Sequence, residues 1–238
     1  MTENTLDQKE RKQLSADLWI IGIAAFLALG GVMIAMQNGM NDFAKDTNYP
    51  IVLRVLVIGL CCQFAISGLG ISIVCLIRKQ SFRSFGLCTK NLIPALPLSL
   101  LCCVPEFLYN LAHGLVHGWC PFQGVGTTAE ALTSAFPSNV LALSLTAVFW
   151  GFFEGFNYAV IQDKISRLFP SKYRFWDWGA FFCAVMCILI HGAVGLTPDA
   201  LLQMATVFIL IYGMLIVRKE TGNAWGCVLI FFVCWNAI

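Results

Sequence analysis

The feature that most constrains this chain is a series of apolar runs, each long enough to cross a bilayer, joined by connections of alternating basicity. A lipid-spanning helix needs about 20 mostly apolar residues. Seven runs approach that length, at 18–36, 51–77, 92–117, 140–163, 176–196, 199–217 and 223–238. Each is expected to be a helix, because a backbone polar group in lipid must be satisfied within its own segment. Composition agrees: 58% of the 238 residues are hydrophobic and 12% are charged, against roughly 25% charged in a soluble domain. That leaves too little polar surface for a water-exposed enzyme or a disordered chain. A net charge of +2 offers no basic footprint, so nucleic acid is not an expected partner. The 11 cysteines show no C-x-x-C spacing and fall mostly inside the apolar runs. They read as small buried side chains rather than a disulfide framework.

Lysine and arginine placement orients the bundle. Lys9, Arg11 and Lys12 precede the first run. Arg78, Lys79, Arg83 and Lys90 lie between the second and third, Lys164, Arg167, Lys172 and Arg174 between the fourth and fifth, and Arg218 and Lys219 between the sixth and seventh. Thirteen of the 15 basic residues thus fall in alternate connections, with only Lys45 and Arg54 on the other side. A cytoplasmic N-terminus follows. The first run is too long for a signal peptide and lacks a clear cleavage site, so an integral protein of a prokaryotic cell membrane is the default expectation. The expected fold is an all-α polytopic transmembrane bundle of about seven spans, or eight if the Gly-, Pro-, Ser- and Thr-bearing stretch 118–138 re-enters. It forms one domain overall, with residues 1–77 supplying the N-terminal segment and the first two spans and 78–238 the core.

Ionisable groups inside spans cost about 2.5–3.5 kcal/mol each and usually face a bundle interior or a water-filled cavity. Glu154 lies in the aromatic run F-W-G-F-F-E-G-F-N-Y, with Asn157 and Tyr158 three and four residues on, so they are expected to share its helical face. His191 is the only acidic, basic or histidine side chain between Asp177 and Asp199. Cys183, Cys187 and His191 form a stripe, but three ligands on one straight helix cannot close a tetrahedral metal site. Glu106, Asn110, His113 and His117 follow steps of 4, 3 and 4 and share a face, with Pro105 positioned to kink that helix. At a rise of about 1.5 Å per residue, Glu154 lies roughly 13 Å, Asn236 roughly 18 Å, Glu106 roughly 21 Å and His191 roughly 22 Å from the cytoplasmic ends of their spans. These depths allow the residues to meet near mid-membrane, in a cavity between the third, fourth, fifth and seventh spans.

A Glu inside an aromatic span, a His ending a later span and an Asn closing the last one resemble the CPBP (Abi) family of intramembrane glutamic proteases, which includes the type 2 CAAX prenyl proteases. The stretch R-K-Q-S-F-R-S-F-G-L at 78–87 is similar to the basic connection before that family's core. The likeness covers roughly residues 78–238; the first two spans add little to it. The family motifs are Glu-Glu-x-x-x-Arg, Phe-x-x-x-His and His-x-x-x-Asn/Asp. Glu154, His191 and Asn236 occupy one position in each, while Gly155, Ala159, Cys187 and Phe232 stand where companions are expected.

The resemblance implies an endopeptidase in which Glu154 and His191 activate a water and Asn236 stabilises the oxyanion. Asn157 or Tyr158 would support them, and Glu106, Asn110 and His113 would line the cavity. The implied substrate is a peptide or lipidated peptide within the bilayer, and the implied mechanism needs no metal or other cofactor. The missing companions keep a second reading open: a catalytically impaired protein of the same fold, acting in binding, bacteriocin immunity or scaffolding. A third is metal handling or transport through Glu106, His113 and His117, against which the lack of a detectable inverted repeat counts.

Overall fold

The computed structural model describes residues 6–116, 118–192 and 194–237. Among them every regular element is helical. Five helices are long and apolar enough to cross a membrane: α1 (Gln8–Lys45), α2 (Ile51–Arg78), α3 (Leu92–Ala112), α5 (Ser138–Leu168) and α7 (Pro198–Thr221). Between them lie α4 (Thr128–Thr133) and two shorter apolar helices, α6 (Trp178–Ile190) and α8 (Trp225–Trp235). The molecule is therefore an all-α bundle of membrane-protein character.

α5 is the central helix. Its second half is buried almost continuously from Glu154 to Leu168. α1, α2, α6 and α8 pack around it, α7 lies behind α6, and α3 leans on α7 and α8. Two glycines set how close the helices come. A Cβ on Gly155 would lie 2.6 Å from the Cys227 carbonyl oxygen, and one on Gly151 would lie 2.3 Å from the Phe232 ring. Small residues that let backbones approach are the usual device of helix packing in lipid.

Helix ends depart from the apolar runs for identifiable reasons. α1 starts at Gln8, ten residues before its run, and the added turns bury Asp17. The polypeptide of α3 breaks at Cys102–Cys103. Pro105 lacks the N–H that would bond back across that turn, and its ring crowds the preceding carbonyls. α3 then stops at Ala112, with Gly114 in a left-handed conformation (φ 67°), five residues short of the run. α6 has 13 residues against the 21 of its run. Asp177 caps its start, accepting from the Ala180 N–H at 2.8 Å, and a positive-φ Gly192 follows its end.

The stretch 118–138 holds only the six-residue α4, far too short to cross a bilayer. Instead it folds back over the end of α8. The Cys120 N–H donates to the Ala237 carbonyl at 3.2 Å and the Gly124 N–H to the Asn236 carbonyl at 3.0 Å. Trp119 Nε1 donates to the Val233 carbonyl at 2.8 Å. The buried Arg54 anchors this segment by pairing with Glu130, and it also donates to the carbonyls of Tyr49 and Ala44.

At the opposite end of the bundle, charge is buried and paired. Asp17 accepts from Arg78 Nε at 2.7 Å and Lys164 Nζ at 2.8 Å, tying α1, α2 and α5 together. Arg218 reaches the Phe85 carbonyl, Gln162 and Asp163. Several basic residues that mark orientation in the sequence are thus structural pillars as well. Asp17 joins Glu106 and Glu154 as a buried or half-buried carboxyl, although its run read as starting one residue later.

Candidate active site

Three wide, π-type turns surround one point in the bundle. They span Gly59–Gly68 in α2, Ala147–Phe153 in α5 and Phe231–Trp235 in α8. Such turns are rare and frequently occur at functional sites, because the extra residue resets which side chains face inward. Here Gln63 lies within the first, Glu154 directly follows the second, and Asn236 directly follows the third.

Glu154 stands at the centre. Its side chain is 9% exposed, and its Oε1 lies 3.7 Å from His191 Nε2. Its Oε2 accepts from Gln63 Nε2 at 2.7 Å. Among the described residues no lysine or arginine pairs with it. His191 follows the last residue of α6, is 37% exposed at its side chain, and packs edge-on against Trp235 with centroids 5.0 Å apart. The site therefore has a buried carboxylate on one side and a more open imidazole on the other. A separation of 3.7 Å is beyond hydrogen-bond range but within reach of a water held by both groups.

Asn236 stands beside the same carboxylate. Its Nδ2 is buried and faces the Glu154 carboxyl, just outside ordinary hydrogen-bond geometry. Asn236 is held through its backbone carbonyl, which accepts from the Gly124 N–H. The looped-back segment thus fixes the amide that faces Glu154.

The remaining residues singled out in the sequence separate. Tyr158 is buried, stacks on Phe231 with centroids 5.6 Å apart, and lies beside Cys187. Asn157 is not brought to Glu154. Three residues on is an offset of about 60° around a helix, enough to turn it into an apolar cleft with Leu18, Ile66, Met186 and Ile190. There its Oδ1 is buried without a partner. Glu106 and Asn110 do line a cavity, with Cys103, Phe107, Cys234 and Trp235, so α7 and α8 rather than α5 close it. His113 lies outside that cavity. It stacks on Tyr109 with centroids 4.1 Å apart and pairs with Asp199 at 2.7 Å. The break before Pro105 and the early end of α3 account for this division of the stripe. His117 falls outside the described residues. Among the described residues no three His, Cys, Asp or Glu side chains gather as metal ligands.

Gln63 is the site residue that the sequence reading missed. It is the only amide or charged side chain between Arg54 and Arg78, the same signal of a polar residue in an apolar span that singled out Glu154. Comparison of the chain with protein-family models, curated proteins and solved structures yields no match.

Proposed function

We propose that the chain is an intramembrane endopeptidase of the CPBP type, with seven membrane-crossing segments and a cytoplasmic N-terminus, acting on a membrane-associated or lipidated peptide. The observation that carries this reading is the meeting of Glu154 and His191 at 3.7 Å, with the Asn236 amide beside the same carboxylate. In this reading Glu154 takes a proton from a water that His191 helps orient. The water oxygen attacks the scissile carbonyl carbon. Asn236 Nδ2 donates to the oxyanion, and Glu154 returns the proton to the leaving amine as the C–N bond breaks. Gln63 holds one carboxylate oxygen and leaves the other free to act, supplying from α2 an orienting bond that the absent family companions would otherwise provide. A hole with one donor missing is slower by about 10²–10³, so a slow enzyme is expected.

The test is N-terminal profiling of membranes from cells expressing the protein or its Glu154→Gln variant. New peptide termini are expected with the parent chain and not with the variant. Equal termini from both would remove Glu154 as the base.

One observation favours a non-catalytic binding or immunity role instead. Gly155 is pressed against the Cys227 carbonyl and Ala159 is fully buried, so there is no room for the Glu and Arg of the first family motif. That role predicts no new termini from either protein.

A further inference from the structure

A polar cavity lies around Glu106. It has a volume of about 170 Å³. Its walls are unusual for a membrane bundle: one carboxyl group, one amide, two thiols and two aromatic rings, contributed by Glu106, Asn110, Cys103, Cys234, Phe107 and Trp235. Thr206 hydrogen-bonds to Glu106 Oε2 and holds the group at the cavity wall, with Asn110 beside it. Among the described residues no basic side chain lies within 4.0 Å of it.

A carboxylate in an apolar bundle is stabilised by a counter-charge, and among the described residues none lies within 4.0 Å of Glu106. What the cavity does supply is a carboxyl acceptor beside an indole and a phenyl ring, ring types whose faces attract cations. The absence of a three-ligand group among the described residues argues for an organic cation over a metal ion. Position matters as well. Trp235 forms a wall of this cavity and touches His191 on the other side. Cys234 and Trp235 immediately precede Asn236. The cavity therefore adjoins the Glu154 site through Trp235.

We propose that the Glu106 cavity is a subsite for a basic side chain, taking the ammonium of a lysine or the guanidinium of an arginine from a peptide bound at Glu154. The peptide part of this statement rests on the reading given under Proposed function; the cation part does not. A basic group enters between Phe107 and Trp235 and pairs with Glu106. Specificity then arises because a neutral side chain of the same length leaves that carboxylate unpaired.

Four small probes test this on the purified protein: n-butylammonium, its neutral isostere n-pentane, and the acetyl-methylamide derivatives of lysine and norleucine. Two properties are read, the thermal unfolding temperature and the rate at which a small methanethiosulfonate modifies Cys234. A saturating cation is expected to raise the unfolding temperature by a few degrees and to slow Cys234 modification about fivefold, as mass action requires of a ligand bound only to the folded state. Modification of Cys88, which lies away from the cavity beside Gly222, is expected to be unchanged. Neutral probes are expected to do neither, and Glu106→Gln is expected to remove both effects.

Equal effects from charged and neutral probes, or an unchanged response in Glu106→Gln, would overturn the cation site. If Cys234 proves unreactive, the unfolding temperatures alone decide. A response to butylammonium without one to the lysine derivative would overturn the peptide subsite. None of these readouts involves cleavage, so the subsite and the peptidase reading can fail separately.

Discussion

Asp17 serves two basic partners at once, with Arg78 and Lys164 both within 2.8 Å and Lys164 only 1% exposed. Removing one member of a buried pair leaves the other charge uncompensated, at a cost of about 3–5 kcal/mol, whereas replacing both with apolar groups is often neutral. Asp17→Asn is therefore expected to lower the thermal unfolding temperature in detergent markedly. Pairing it with Lys164→Met is expected to recover much of that loss. Equal losses from the single and double variants would mean that the pair is not coupled. The contrast with Glu154 is instructive: both carboxyls are buried, but only Asp17 has cations of its own. The ion-paired Asp17 and the proposed catalytic Glu154 carry the same carboxyl group, and their partners tell them apart.

At the level of elements, close helix contact depends on what a glycine faces. Gly155 meets backbone, since an added Cβ would lie 2.6 Å from the Cys227 carbonyl oxygen; Gly151 meets the edge of a Phe232 ring. A side chain can turn away and a backbone carbonyl cannot. Gly155→Ala is expected to destabilise by about 1–3 kcal/mol, the usual cost of overpacking, and Gly151→Ala by less. The reverse order in thermal unfolding would show that the α5–α8 contact yields more readily than the ring.

Helix identity was legible in the sequence because apolar length is a strong signal, and Pro105 marked the α3 break within three residues. The wide turns were not legible. Nothing in G-L-C-C-Q-F-A-I-S-G distinguishes a π-type turn from an α-helical one, because the choice is made by the packing of α2 on α1 and α5. That is also why the meeting of Glu154, His191 and Asn236 could be anticipated from depth, while the contribution of Gln63 and the turning away of Asn157 could not.

For the whole molecule, the proposed orientation puts Cys88 and Cys120 on opposite sides of the membrane. Cys88 lies in the connection before α3, and Cys120 in the segment that folds over α8. In sealed cells a membrane-impermeant maleimide is expected to reach Cys120 and spare Cys88, and to label Cys88 only after permeabilisation. The opposite pattern would invert the bundle. The two thiols are half-buried, so brief labelling at low reagent is the informative regime.

The backbone clasp between residues 120–124 and 236–237 has a consequence for time as well as place. The amides of Cys120 and Gly124 bond to carbonyls of the residues at and beside the candidate site, so they are shielded from water only while α8's last turn is docked. Their hydrogen–deuterium exchange is thus a clock for the fraction of time the site stands assembled. Arg54→Gln, which cuts the anchor of that segment to Glu130, is expected to speed exchange at both amides together. Unchanged exchange would mean that the turn is held from elsewhere.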